Sequence, residues 1–252
     1  MSTLTKKELD RYSRHLRLPE IGMKGQTRLK AGRVLLIGAG GLGSPAALYL
    51  AAAGIGTLGL MDADCVECSN LQRQILHAVP DLNRLKTDSA ADKLRAINPA
   101  LQLDLRPERF TAAQIPVLND YDLVIDATDN FESKFLIADS CHQTGKPYVH
   151  AGILAFTGQV MTVLPGRTTC YRCIFEAPPE PLPSDRMPAG PIGALPGIIG
   201  SIQALEAIKY LTRAGTLLTD RLLTFNALEL KFREVPLRRN PGCRLCGRPE
   251  PE

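Results

Sequence analysis

The sequence predicts an α/β fold, a Rossmann-like and mostly parallel sheet with helices on both faces, continued by antiparallel strands. Three observations point there. Apolar runs without polar alternation recur between helical stretches up to residue 154, the pattern of strands buried on both faces. A glycine-rich turn, Gly38-Ala39-Gly40-Gly41-Leu42-Gly43, separates the first run from an Ala-rich stretch. Beyond residue 155 the rhythm shifts to extended segments, which continues the sheet with antiparallel strands.

Leu4 to Ala31 reads as a helical arm, with Leu9, Tyr12, Leu16 and Leu18 in an apolar stripe and Arg11, Arg14 and Arg17 elsewhere. Val34 to Ile37 is a buried strand, Ser44 to Ala53 a helix and Thr57 to Met61 a second strand. Lys86 to Asn98 is helical with Ala90, Leu94 and Ile97 inward; Leu101 to Leu105 and Leu123 to Asp126 are strands. A helix near Lys134 to Thr144 and a strand at Pro147 to Ala151 close the parallel part. Gln159 to Leu164, Leu222 to Phe225 and Leu230 to Pro236 follow as extended segments. They are interrupted by a helix at Gly200 to Leu211 with Ile202, Leu205, Ile208 and Leu211 on one face. Residues 177–197 carry seven prolines and are expected to form a mobile surface loop without regular structure.

At roughly 150 residues per domain, 252 residues and 44% apolar content fit one domain. It divides into an N-terminal arm (1–31), a nucleotide-binding half (32–154) and a second half (155–252). Thirty basic against 26 acidic residues, net +4, are too balanced for a nucleic-acid face, and 5% aromatics with no Trp remove a base-stacking platform. Met1 to Arg17 is charged and polar, unlike a secretory signal, so the seven cysteines are expected in a reducing cytoplasm, where metal or redox roles outrank disulfides. Val34 to Met61 lacks charge and is long enough to span a bilayer. Gly38, Gly40, Gly41, Gly43 and Pro45 break it into a buried β-α unit, so no membrane partner is expected.

The glycine turn, with Asp62 at the end of the next strand, is a nucleotide-binding signature. The glycines bring backbone N–H groups to a phosphate at a helix N-terminus, and the carboxylate accepts from ribose hydroxyls. No Lys follows the glycines, which excludes a Walker loop. The run Ser69-Asn70-Leu71-Gln72-Arg73-Gln74 then puts a cation where a dehydrogenase has no use for one. The four histidines, His15, His77, His142 and His150, form no recognisable catalytic pair. Asn70, Arg73, Lys86 and the turn Thr128-Asp129-Asn130 belong instead to the crevice at the carboxyl ends of the strands. Displacement at an α-phosphate needs such a set: cations to neutralise the phosphate oxygens and pyrophosphate, and a carboxylate to hold Mg²⁺. Cys170-x-x-Cys173 and Cys243-x-x-Cys246 carry the spacing of a tetrahedral Cys₄ zinc site, structural because four thiolates leave no open position.

Arg11-Tyr12-Ser13-Arg14, Gly38 to Gly43, Ser69 to Gln74, Thr128-Asp129-Asn130, Cys170-Tyr171-Arg172-Cys173, Gln203-Ala204-Leu205-Glu206-Ala207-Ile208-Lys209 and Asn240-Pro241-Gly242-Cys243 resemble the MoeB/ThiF/HesA family, relatives of the ubiquitin-activating enzymes. The resemblance spans almost the whole chain. It implies adenylation of the C-terminal Gly-Gly carboxylate of a small ubiquitin-fold sulfur carrier, MoaD-like or ThiS-like, with release of pyrophosphate, for molybdenum cofactor or thiamine biosynthesis. ATP, Mg²⁺ and Zn²⁺ are the implied cofactors. The implied nucleotide site is Gly38, Gly40, Gly41, Gly43, Asp62, Ser69, Asn70, Leu71, Gln72, Arg73, Lys86, Asp129 and Asn130. Gly41 and Asp62 would cradle adenosine and ribose, Asn70, Arg73 and Lys86 the phosphates, and Asp129 the Mg²⁺. Arg14, Arg73, Lys86 and Asp129 form the implied catalytic set, with Arg14 reaching the neighbouring subunit's site in a homodimer. The match of the other four cysteines leaves Cys65 and Cys68 free.

One departure concerns the loop before the Gln203 helix. Many relatives carry a cysteine there, whereas Arg186 and Met187 occupy it here and no cysteine lies between Cys173 and Cys243. This leans towards the molybdopterin-type branch and away from acyl-disulfide chemistry. With no rhodanese-like domain after residue 252, sulfur is expected from a separate donor protein. Two other readings stay open. An NAD-dependent oxidoreductase accounts for Gly38 to Gly43 and Asp62 but leaves Arg73, Lys86, Asp129 and the cysteine knuckles without work. A non-catalytic, zinc-stabilised module for a ubiquitin-fold partner would bind a carrier without releasing pyrophosphate.

Overall fold

The computed structural model describes residues 3–178 and 190–247. The apolar runs form eight strands: β1 (Arg33–Ile37), β2 (Thr57–Met61), β3 (Gln102–Arg106), β4 (Leu123–Asp126), β5 (Tyr148–Leu154), β6 (Thr157–Val163), β7 (Arg221–Asn226) and β8 (Lys231–Pro236). They lie in one sheet in the order β3-β2-β1-β4-β5-β6-β7-β8. Pairing is parallel from β3 to β5 and antiparallel from β5 to β8. Because β1 pairs with both β2 and β4, the order reverses beside it, and a crevice opens at that switch point. The register aligns Ile37 with Met61 and with Asp126, so the chain leaves β1, β2 and β4 at one level.

Successive strand residues enter opposite cores. Val34 and Leu36 pack with Leu50 of α4 (Gly43–Ala53), Leu94 of α5 (Lys86–Ile97) and Ile199 of α7 (Ala194–Thr212). Leu35 and Ile37 pack on the other face with Phe135 and Ile137 of α6 (Phe131–Gln143). Each fully buried Leu or Ile stabilises the fold by about 1.5–3 kcal/mol. The span Val34 to Met61 is therefore strand, helix and strand, and no helix among the described residues is long and apolar enough to cross a membrane.

Two expectations are corrected. The N-terminal arm is three helices, α1 (Lys6–Arg11), α2 (Ser13–Leu16) and α3 (Gly22–Ala31), broken at Tyr12 and again around Pro19, whose ring disfavours helix at the preceding residue. Of its stripe only Tyr12 is buried, stacked over Gly54 and bonded to Asn98, while Leu9 and Leu18 stay exposed.

The α7 helix starts at Ala194, inside the expected loop. Pro196 sits in its first turn, where no N–H partner is required. Its buried face is Leu195, Ile199, Gln203, Glu206 and Ala207, and Leu205 is 53% exposed. Polar residues occupy that face because they meet partners: Gln203 donates to the Asp126 and Val149 carbonyls, and Glu206 accepts from Thr162 and the Leu218 N–H. Gly200 permits close helix packing, since a Cβ there would lie 2.2 Å from the Leu42 carbonyl oxygen. Arg186, Met187 and the rest of 179–189 lie outside the described residues.

Candidate active site

The turn after β1 closes on itself. Gly38 has φ +97°, and a Cβ on Gly43 would lie 2.0 Å from the Gly38 oxygen, so only glycine fits. Asp62 Oδ2 accepts from the Ala39 N–H at 2.8 Å and Oδ1 from the Asp64 N–H at 2.9 Å. His77, buried behind the turn, bonds the Ala39 carbonyl through Nε2 and Ser89 through Nδ1. Burial lowers its pKa, so it is a neutral structural imidazole.

A crevice of about 380 Å³ opens in front of this turn. Of the predicted residues, Gly38, Gly40, Gly41, Asp62, Arg73, Lys86, Asp129 and Asn130 line it. Lys86 begins α5 with 5% of its surface exposed, and its Nζ lies 2.9 Å from Asp64 and 3.9 Å from Asp62. Arg73 lies against Gly41, its guanidinium donating to the Ser69 carbonyl at 3.1 Å. Asn130 caps α6 by accepting from the Ser133 N–H at 2.8 Å, which starts that helix three residues before the expected Lys134. Gly43, Ser69, Asn70, Leu71, Gln72 and Arg14 do not line the crevice. Gly43 acts through the turn, Ser69 and Asn70 lie in a 3₁₀ turn at Cys68–Asn70, and Leu71 and Gln72 follow it. Arg14 is exposed on α2.

Several lining residues lay outside the predicted set. Buried Gln74 faces Gly40, and Asp64, Glu108, Arg109, Phe110 and Ser133 complete the wall. The signal for Glu108 to Phe110 was their place just after β3, at the carboxyl edge of the sheet. The wall holds Asp62, Asp64, Glu108 and Asp129 against Arg73, Lys86 and Arg109, four acids to three bases. A polyphosphate entering it therefore requires a cation of its own. The donor set fits a nucleoside triphosphate carried with Mg²⁺, which typically binds through one or two carboxylates plus phosphate oxygens.

Behind the crevice Asp126, Lys134 and His150 form a buried cluster that no local sequence signal announces. Burial opposes the Asp126 charge, but Lys134, His150 and Thr128 hold its carboxyl well below the usual range. Burial lowers the His150 pKa despite Asp126, leaving the imidazole neutral.

The four predicted cysteines converge after β6 and β8. Their ligand atoms all lie within 4.8 Å of one another, with Sγ separations of 3.7 Å (Cys170–Cys173), 3.6 Å (Cys170–Cys243) and 3.3 Å (Cys173–Cys246). Zn–S bonds of about 2.3 Å in a tetrahedron place sulfurs about 3.8 Å apart, so the set fits zinc. The Asn240 N–H donates to Cys173 Sγ. Burial raises the Cys243 thiol, but backbone N–H donors at Cys246 and Leu245 outweigh it, to about 7. Cys65 and Cys68 are exposed and free.

A family model described as the ThiF family matches residues 12–245. The chain belongs to the ThiF family. It is 45% identical over 242 residues to the SAMP-activating enzyme E1 of Haloferax volcanii, covering 95% of this chain and 89% of that protein. It is 44% identical over 251 residues to the sulfur carrier protein adenylyltransferase of Thermus thermophilus, covering 96% and 92%. The fold matches a crystal structure of Escherichia coli MccB with MccA-N7isoASN, with a TM-score of 0.85 and 23% identity over 95% of this chain and 75% of that one. The glycine turn, Arg73 and Gln74 at the end of the Ser69 to Gln74 run, and the Thr128 to Asn130 turn all border one cavity.

Proposed function

We propose that the protein activates the C-terminal Gly-Gly carboxylate of a small ubiquitin-fold sulfur carrier, MoaD-like or ThiS-like, by adenylation with ATP. The observation that carries this reading is one crevice uniting the glycine turn, Asp62, Arg73, Lys86 and Asp129 in a chain whose relatives are named as carrier-activating and adenylyltransferase enzymes. A carboxylate is already a nucleophile and needs positioning and charge neutralisation rather than a general base. Its oxygen bonds to the α-phosphorus, the α–β phosphoanhydride bond breaks, and pyrophosphate leaves with the electron pair. Gly41 and Asp62 hold adenosine and ribose, while Asn70, Arg73 and Lys86 contact the phosphates and the two cations offset their charge. Asp129 would hold Mg²⁺, which would supply positive charge to the departing pyrophosphate.

Residues 1–252 work as one adenylating unit in the reducing cytoplasm, with Arg14 supplied across a homodimer. Cys170, Cys173, Cys243 and Cys246 would hold a zinc ion that ties down the C-terminal segment, and a separate protein donates the sulfur. The missing loop cysteine favours molybdopterin-type chemistry over acyl-disulfide formation.

The test is carrier-dependent ATP–pyrophosphate exchange. Arg73→Ala and Asp129→Ala should abolish it without unfolding, since Asp129 is exposed. Near-normal exchange in the Asp129 variant removes the magnesium assignment. A spectral response to NAD(H) would revive the oxidoreductase reading, and carrier binding without pyrophosphate release would leave only the binding module.

A further inference from the structure

The Thr128 to Asn130 turn is pinned from beneath by charge that never reaches the crevice. Asp126, 1% exposed at the end of β4, accepts from the Thr128 N–H (3.1 Å) and hydroxyl (2.6 Å) on Oδ1, and from His150 Nδ1–H (2.9 Å) on Oδ2. Lys134 Nζ spans both oxygens at 3.2 and 3.1 Å and donates to the Ala151 carbonyl at 2.6 Å. With these donors the carboxylate's acceptor capacity is filled. Gln203 holds the backbone carbonyl of the same residue at 2.7 Å. The other end of the turn is tied by Asn130 as the cap of α6.

His150 is the unexpected member. Its ring lies 4.6 Å from that of Tyr171, between the first two knuckle cysteines, and 6.4 Å from Phe175. Its Nε2 is buried without a partner among the described residues. A residue kept only for packing would avoid that unpaired acceptor, because an aliphatic side chain fills such space at lower cost. What an aliphatic side chain cannot supply is the Nδ1–H donor to Asp126.

We propose that Asp126, Lys134 and His150, with His150 seated by Tyr171, are positioning residues that hold the Thr128–Asp129–Asn130 turn in the conformation that receives the metal–nucleotide. The inference rests on the adenylation reading. Partners standing behind a metal ligand typically change metal affinity by about 10–100-fold when removed, and this cluster holds Thr128, the residue that precedes Asp129 in the turn.

Binding of Mn²⁺–ATP to the full-length, zinc-loaded protein, followed by calorimetry beside thermal melting, tests it without a carrier. His150→Leu should melt lower, having lost a donor to a buried carboxylate, yet stay folded at the assay temperature and bind Mn²⁺–ATP about tenfold more weakly. His150→Asn, whose side-chain N–H can replace Nδ1–H, should stay within about threefold of wild type. Thr128→Val should weaken binding as His150→Leu does. The double variant should weaken it no further, because both losses pass through Asp126. Wild-type affinity in a folded His150→Leu, or additive losses in the double variant, overturns the inference. If His150→Leu does not fold, wild-type affinity in Thr128→Val overturns it equally. A wild-type protein that binds no Mn²⁺–ATP overturns the adenylation reading as well, whereas unaffected variants beside a binding wild type overturn this inference alone.

Discussion

Lys86 illustrates how one residue serves both fold and chemistry. Its ammonium is almost fully buried at the first position of α5, compensated by Asp64, which is 55% exposed and free to turn to solvent. Phosphate oxygens arriving in the crevice can replace that partner without stranding a charge. Lys86→Met keeps the aliphatic volume and removes the charge. Exchange should fall by about 10²-fold or more, as when a transition-state charge partner is lost, with the circular dichroism spectrum unchanged; a fall under threefold would take Lys86 out of the phosphate set. Gly43→Ala should act differently, through the backbone: a Cβ 2.0 Å from the Gly38 oxygen forces the turn apart, lowering both melting temperature and ATP affinity. Normal affinity in a folded Gly43→Ala would refute a tightly closed turn. Both residues were legible in the sequence because their signals are contiguous. Glu108 and Arg109 were not singled out, since either reads alone as an ordinary charged residue until the sheet brings it to the crevice.

At the scale of elements, the segment after β8 depends on its cysteines. Besides them, Leu237 and Leu245 pack against the core, and Arg239 and Arg244 donate to the Gly166 and Glu176 carbonyls. Cys243→Ser should lose zinc and lower the melting temperature, whereas Cys65→Ser should keep one zinc per chain, as measured by metal analysis and calorimetry. The reverse pattern would move the metal to the nucleotide loop. The cysteine pairs were legible because ligand spacing is a local property. The face of α7 was legible in part: Ile202, Ile208 and Leu211 of the expected stripe pack half-buried against the core, but Leu205 is exposed and the helix turns Gln203 and Glu206 inward to satisfy groups on β4, β5 and β6. Demand for hydrogen bonds from a distant sheet overrides the apolar stripe there.

At the scale of the whole molecule, exposed Arg14 lies away from its own chain's crevice, so the composite-site proposal is testable by mixing. Arg14→Ala and Arg73→Ala homodimers should each be inactive. Once subunits are exchanged, about a quarter of wild-type exchange should return, because half the dimers are mixed and each holds one intact site. No recovery after verified subunit exchange would refute a shared site.

Acid stability follows from the buried imidazoles and carboxylates. Burial lowers His77 and His150 from 6.5, so the stability they lend is complete above that value and drains as pH falls below it. Asp81, held down to about 2 by Lys93 against its own burial, continues the loss between 3.8 and 2. Melting temperature should therefore begin to fall below about pH 6.5; a flat profile down to pH 4 would mean that these imidazoles are not buried in neutral form.

The sequence by itself determined the strand order along the chain, the glycine turn, the cations after it and the paired cysteines, because each is written in adjacent residues with a local physical requirement. Only the tertiary structure decided which of those residues share a crevice, which face α7 buries, and that Asp126, Lys134 and His150 meet where Asp126 holds Thr128. Those outcomes depend on sheet register and on hydrogen-bond partners far away in sequence, and burial of a charged cluster has no period for a linear pattern to reveal.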